Sequence, residues 1–170
     1  MSIQTQAKRI IRKHNIKVNA SKEELYPLLC PVRESEWMPW FSSQNVYSES
    51  GFAELDCIFQ TGSNEVNKTI WIIPVYERDN FIEFIYHEAK IKVVIIKLSL
   101  SDLSNSETSL QVEYIYTSLS EDGNTQLEGI TEEAFKNQIN SWEICLNYFF
   151  KNGTIIPDES LLHHYIHHTS

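Results

Sequence analysis

The chain has 170 residues, a formal net charge of −9, 42% hydrophobic residues and 22% charged residues. This length suits a single domain that buries roughly 70% of its unfolded surface without covalent staples. The acidic balance argues against a nucleic-acid module, which needs a basic stripe to neutralise phosphates, and no apolar run approaches the ~20 residues of a membrane span.

Residues 1–18 mix Lys, Arg and Ile without the apolar stretch of a secretory leader. Cys30, Cys57 and Cys145 are odd in number and widely spaced. They read as reduced thiols packed as small hydrophobes in a cytoplasmic protein.

A strand is expected first, over residues 8–18, with Ile10, Arg12, His14, Ile16 and Val18 on one face by the period-two rule. Its basic residues Lys8, Arg9, Arg12, Lys13 and Lys17 read as a solvated edge. Ser21 and Glu24 form a capping-box pattern that opens a short helix over residues 24–29, and Pro31 is expected to stop it. Residues 31–43 hold Trp37, Trp40 and Phe41 in a stretch too broken for a long helix. One helical turn and a covering loop are predicted there.

Alternation predicts strands over 53–61, 67–76, 81–88, 90–100 and 109–119, with a weaker one at 45–49. Leu55, Cys57 and Phe59 are assigned the inner face of the first, and the second is expected to be buried on both faces. Hairpin-like separators at 61–64, 77–80 and 102–107 imply an antiparallel meander. Glu121-Asp122-Gly123-Asn124 is expected to turn the chain out of the last strand. Phe135, Ile139, Trp142, Leu146 and Phe149 then recur at helical spacing, predicting a rod over residues 131–152 closed by Gly153.

The order strand, short helices, antiparallel strands, long helix resembles the START-like (SRPBCC) superfamily. More specific points of likeness are Leu29-Cys30-Pro31-Val32-Arg33-Glu34 with Trp37, the segment from Gly51 to Phe59, Thr69-Ile70-Trp71, and the segment from Tyr114 to Asn124. The resemblance covers about residues 8–153 and implies an α+β helix-grip fold. In it, a curved antiparallel sheet of six to seven strands wraps a long C-terminal helix, with two short helices after the first strand. One domain is expected over 8–153, followed by a tail at 154–170. The likeness implies a cavity between sheet and helix but no shared catalytic set.

Trp37, Trp40, Cys57, Phe59, Trp71, Phe84, Tyr86, Tyr114, Tyr116 and Trp142 are the candidate lining of that cavity, with His14 beside them. Trp37 and Trp40 read first as the closed end of the core and second as a lid. Each buried Tyr hydroxyl or Trp indole needs a partner that a ligand can supply. His14 is either a hydrogen-bonded core residue or an acid/base. Cys57 has no neighbouring base in sequence and reads as inert. Glu34, Glu36 and Glu54 are acid candidates best read as solvated surface residues.

The histidines at 163, 164, 167 and 168 have helical i, i+4 spacing, but nothing completes a metal site, and neither metal nor cofactor is expected. The leading expectation is a binder of a small hydrophobic or amphipathic molecule: a lipid, a polyketide or an aromatic metabolite. The rivals are a cyclase- or dehydratase-type enzyme using His14 and a tyrosine, and an interaction domain of the kind that activates chaperone ATPases. The last calls for an apolar patch on the outer sheet face. The chain is expected to be a monomer or homodimer, without nucleic-acid partner or integral membrane segment.

Overall fold

The computed structural model describes residues 6–62 and 68–157. The histidine-rich segment and part of the turn expected at 61–64 lie outside the described residues.

Seven strands form one antiparallel sheet: β1 (Arg9–Val18), β2 (Ser43–Tyr47), β3 (Ile58–Thr61), β4 (Thr69–Glu77), β5 (Phe81–Glu88), β6 (Lys92–Ser104) and β7 (Glu107–Ser118). Their spatial order is β1-β7-β6-β5-β4-β3-β2. Sequential neighbours therefore pair throughout, apart from β1, which crosses to pair with β7. In the register His14 stands opposite Val112 and Ile16 opposite Leu110.

Among the described residues four α-helices accompany the sheet: α1 (Lys22–Leu25), α2 (Pro31–Glu34), α3 (Glu121–Glu128) and α4 (Glu132–Asn152). At 1.5 Å per residue α4 is a rod of about 32 Å, enough to cross the sheet. The Thr131 side chain caps its start by accepting from the Ala134 amide, and Gly153 ends it with φ 69°. Phe135, Ile139, Trp142, Cys145 and Leu146 on its buried face share one buried core with the inner rows of β1, β5, β6 and β7.

Pro31 opens α2 instead of simply ending the first helix. The capping box at Ser21 forms as expected, but helix α1 tightens into a 3-10 turn over Tyr26–Leu29. Cys30 is extended, and Pro31, which has no amide hydrogen to lose, takes the first helical position.

The strand predicted over 53–61 shortens to β3. Asp56 has φ 61°, and the Cys57 amide bonds back to the Glu54 carbonyl, so residues 54–57 form a turn. Leu55, assigned to the inner face, is 57% exposed. Strand β4 is buried on one face only, with Ile70 and Ile72 exposed outside. The turn expected at 121–124 is the first half of α3, because the Ser120 side chain accepts from the Gly123 amide and starts a helix.

Glycine is required at 123 by close approach: a Cβ there would run into the Ile91 carbonyl oxygen. Beyond α4, Ile156 packs into the same core as the sheet and helices.

Candidate ligand-binding site

Between the inner sheet face and α4 lies a cavity of about 260 Å³. Phe59, Trp71, Phe84, Tyr86, Ile96, Leu98 and Tyr114 line it from strands β3 to β7. Gln138 and Trp142 enter from α4, and Glu34, Met38, Trp40 and Phe41 from α2 and the loop after it. The aromatic wall is continuous. Phe59 stacks on Trp71 at 5.4 Å, Trp71 meets Tyr86 at 4.1 Å, and Phe84 stands edge-on to Phe59 at 6.2 Å. Trp40, 46% exposed, stands at the rim.

A larger groove of about 680 Å³ follows the C-terminal end of α4 past Asn147, Tyr148, Lys151 and Pro157. It is a surface feature that runs to the end of the described residues. It lacks the inner cavity's enclosing aromatic wall.

Glu34 is the cavity's singular residue. It is 8% exposed, and its carboxyl makes no side-chain hydrogen bond among the described residues. No side-chain oxygen or nitrogen among these residues is both fully occluded and unpartnered, so the carboxylate oxygens open onto the cavity. Desolvation pushes its pKa up from 4.5 to about 8. Burial also raises Tyr114, which lies close enough to feel the charge of Glu34, and it raises Tyr86.

The backbone explains how a glutamate came to be inside. Glu34 precedes Trp37 by three residues and Met38 by four, spacings that share a helical face. Trp37 and Met38 amides both donate to the Glu34 carbonyl, continuing the turn, and both side chains are buried. Arg33 and Glu36 occupy the opposite, solvated face, where the guanidinium pairs with the carboxylate through contacts of 2.8 and 2.9 Å. The surface assignment thus fits Glu36 but fails for Glu34. The i, i+3 relation to Trp37 was the available signal. Glu54 is also an outside residue: its carboxylate accepts from the Glu49 and Ser50 amides and ties up their loop.

Of the residues singled out from sequence, Trp40, Phe59, Trp71, Phe84, Tyr86, Tyr114 and Trp142 line the cavity, and His14, Trp37, Cys57 and Tyr116 do not. His14 Nε2 is 2.7 Å from Asn140 Oδ1, a contact that fastens β1 to α4. Trp37 is fully buried, and its indole donates to the Leu28 carbonyl at 2.8 Å.

Cys57 is buried near Cys30, with its thiol pKa raised by desolvation, the opposite of nucleophile activation. Tyr116 packs on Tyr114 at 5.6 Å, on the β1 side of the lining, where Arg12 exerts a counteracting pull on its raised pKa. Arg12 itself donates twice to the Ile130 carbonyl, at 2.9 and 2.7 Å, and so holds the α3–α4 junction.

No family model and no curated protein matches this chain. Solved structures do. Truncated norcoclaurine synthase from Thalictrum flavum superposes with TM-score 0.63 at 9% identity, covering 88% of this chain and 98% of that one. CalU16 from Micromonospora echinospora gives TM-score 0.51 at 12% identity over 95% and 94% of the two chains. DynU16, from the dynemicin biosynthetic locus, gives TM-score 0.59 at 11% identity over 85% of this chain, which spans only 48% of its length. Identities this low speak to architecture alone. The chain has the helix-grip fold of these structures.

Proposed function

We propose that the protein binds a small aromatic molecule in the cavity between its sheet and α4. The observation that carries this reading is the lining itself: eight aromatic side chains around Glu34, with the polar tips of Glu34, Tyr86 and Tyr114 making no protein hydrogen bonds among the described residues. Ligand sites take this form, an apolar wall with a few convergent polar groups. At about 260 Å³ the space is below the ~300–1,000 Å³ of sites for drug-sized molecules, which favours a one- or two-ring compound over a long-chain lipid. One related fold, norcoclaurine synthase, has been solved with dopamine and hydroxybenzaldehyde, both small aromatics. Three free, buried cysteines support a reducing, cytoplasmic setting.

Native mass spectrometry of freshly purified protein tests the reading directly, a retained small-molecule adduct being the expected result. Its companion is an Ile96→Trp variant, which fills the cavity. Loss of the adduct in that variant places it between sheet and helix, and an undiminished adduct refutes the site.

A cyclase- or dehydratase-type enzyme is the second reading, and it rests on Glu34 in place of His14. A carboxyl held near neutrality beside tyrosine hydroxyls suits proton transfer, whereas His14 is engaged by Asn140 away from the lining.

A further inference from the structure

We infer that the cavity selects a small aromatic amine, its ammonium paired with Glu34 and its ring held among Phe59, Trp71 and Phe84. This rests on the cavity being a binding site, and it names the ligand class. Among the described residues Glu34 is the sole carboxylate of the lining, and no Lys, Arg or His is present there to offset it. A buried carboxylate without a partner is costly, and an incoming cation supplies the missing charge and hydrogen bonds. The surrounding rings present π faces that attract a cation and repel an anion. Carboxylates and phosphates therefore meet only unfavourable electrostatics in this space.

The groups facing Glu34 leave it free to titrate alone. Cys30 on the preceding turn and Tyr114 on β7 are both raised by burial and stay neutral, as does Tyr86 on β5. Strands β3, β4 and β6 contribute Phe59, Trp71, Ile96 and Leu98, and α4 contributes Gln138 and Trp142, none of them ionisable. Arg33 is turned outward to Glu36. In the empty protein Glu34 holds its proton up to about pH 8. An ammonium must displace that proton, so its affinity rises about tenfold per pH unit below this value and then levels off.

Calorimetric titration of the whole chain with tyramine, para-ethylphenol and para-hydroxyphenylacetate, which share a ring and differ in charge, is the test. Tyramine is expected to bind at least tenfold tighter than the neutral phenol at about pH 8, with the stated pH slope, and the acid not to bind. Glu34→Gln removes the slope and the preference for tyramine over para-ethylphenol. Equal binding of tyramine and the neutral phenol, or a preference that survives the substitution, overturns the amine assignment alone. Absence of binding by all three probes overturns it together with the small-aromatic reading.

On the outer sheet face, Ile11, Ile115, Ile95, Ile85 and Ile72 are successive cross-strand partners from β1 to β4. Ile11 is 54% exposed and Ile72 42%. Two residues along the strands runs a parallel row, Lys13, Glu113, Lys97 and Glu83, also in direct register.

We propose that this face seats a second copy of the chain about a two-fold axis lying along the strands between β7 and β6. Such an axis reverses strand order without shifting position along the strand. Isoleucine row then meets isoleucine row, and every lysine of the charged row faces a glutamate: Lys13 opposite the copy's Glu83, Lys97 opposite its Glu113. A row of four alternating charges is self-complementary only when reversed, which is what an isologous contact does.

Sedimentation velocity over a concentration series is expected to give a dimer. Ile95→Lys and Lys97→Glu are each expected to shift it to monomer with unchanged circular dichroism, and the swapped pair Lys97→Glu/Glu113→Lys to restore it. A single-copy mass at all concentrations, or a dimer indifferent to both Ile95→Lys and Lys97→Glu, overturns the proposal.

Discussion

The ring of Trp37 meets that of Trp142 edge-on, with centroids 5.9 Å apart and planes at 73°. One ring follows α2 and the other sits in the middle of α4, so the contact locks the short helix against the long one. Glu34 lies one turn before Trp37, and its position in the cavity depends on that lock. Trp37→Phe keeps most of the burial but loses the indole bond to Leu28, a cost of about 1–2 kcal/mol. Trp37→Ala opens a cavity and is expected to cost about 3–5 kcal/mol by urea denaturation, with ligand affinity falling alongside.

Glu34 gives stability a definite pH dependence. Its pKa is about 8 when folded against 4.5 ordinarily, so the folded state holds a proton that the unfolded state releases. The contribution is fully present below about pH 4.5 and is lost as pH rises through about 8. Glu34→Gln cannot ionise. Relative to the native chain, its unfolding free energy is expected to climb between about pH 5 and pH 8, by roughly 3–5 kcal/mol in all. Parallel denaturant titrations at several pH values measure this, and a difference that stays flat with pH contradicts the burial argument.

His14 is expected to behave as a fastener. His14→Ala removes the contact to Asn140 and should cost about 1 kcal/mol of stability. Affinity for a cavity ligand, measured by quenching of Trp71 and Trp142 fluorescence, should stay within about twofold of the native chain. A large loss of affinity without loss of stability would restore His14 to the site.

Gly123→Ala probes the seat of α3. The added methyl group collides with the Ile91 backbone, which has no flexible end to move aside. Destabilisation above about 2 kcal/mol is expected, visible as a lowered thermal midpoint.

The sheet and long helix were legible because their burial is periodic. Alternation placed Ile10, His14, Ile16 and Val18 on one side of β1, and three-to-four spacing placed Phe135, Ile139 and Trp142 on one stripe of α4. Both patterns come from regular backbone geometry acting over many residues, so local sequence suffices to reveal them. Glu34 was hidden because α2 is a single turn, too short for a period to show. Its burial was decided by where Trp37 and Met38 found room between the sheet and α4. Leu55 misled for the matching reason: alternation assumes an extended backbone, and the left-handed Asp56 ends that geometry. Sequence by itself thus determined the scaffold and its aromatic supply. Tertiary packing alone decided which of those rings border open space, and that a carboxylate rather than a histidine shares it with them.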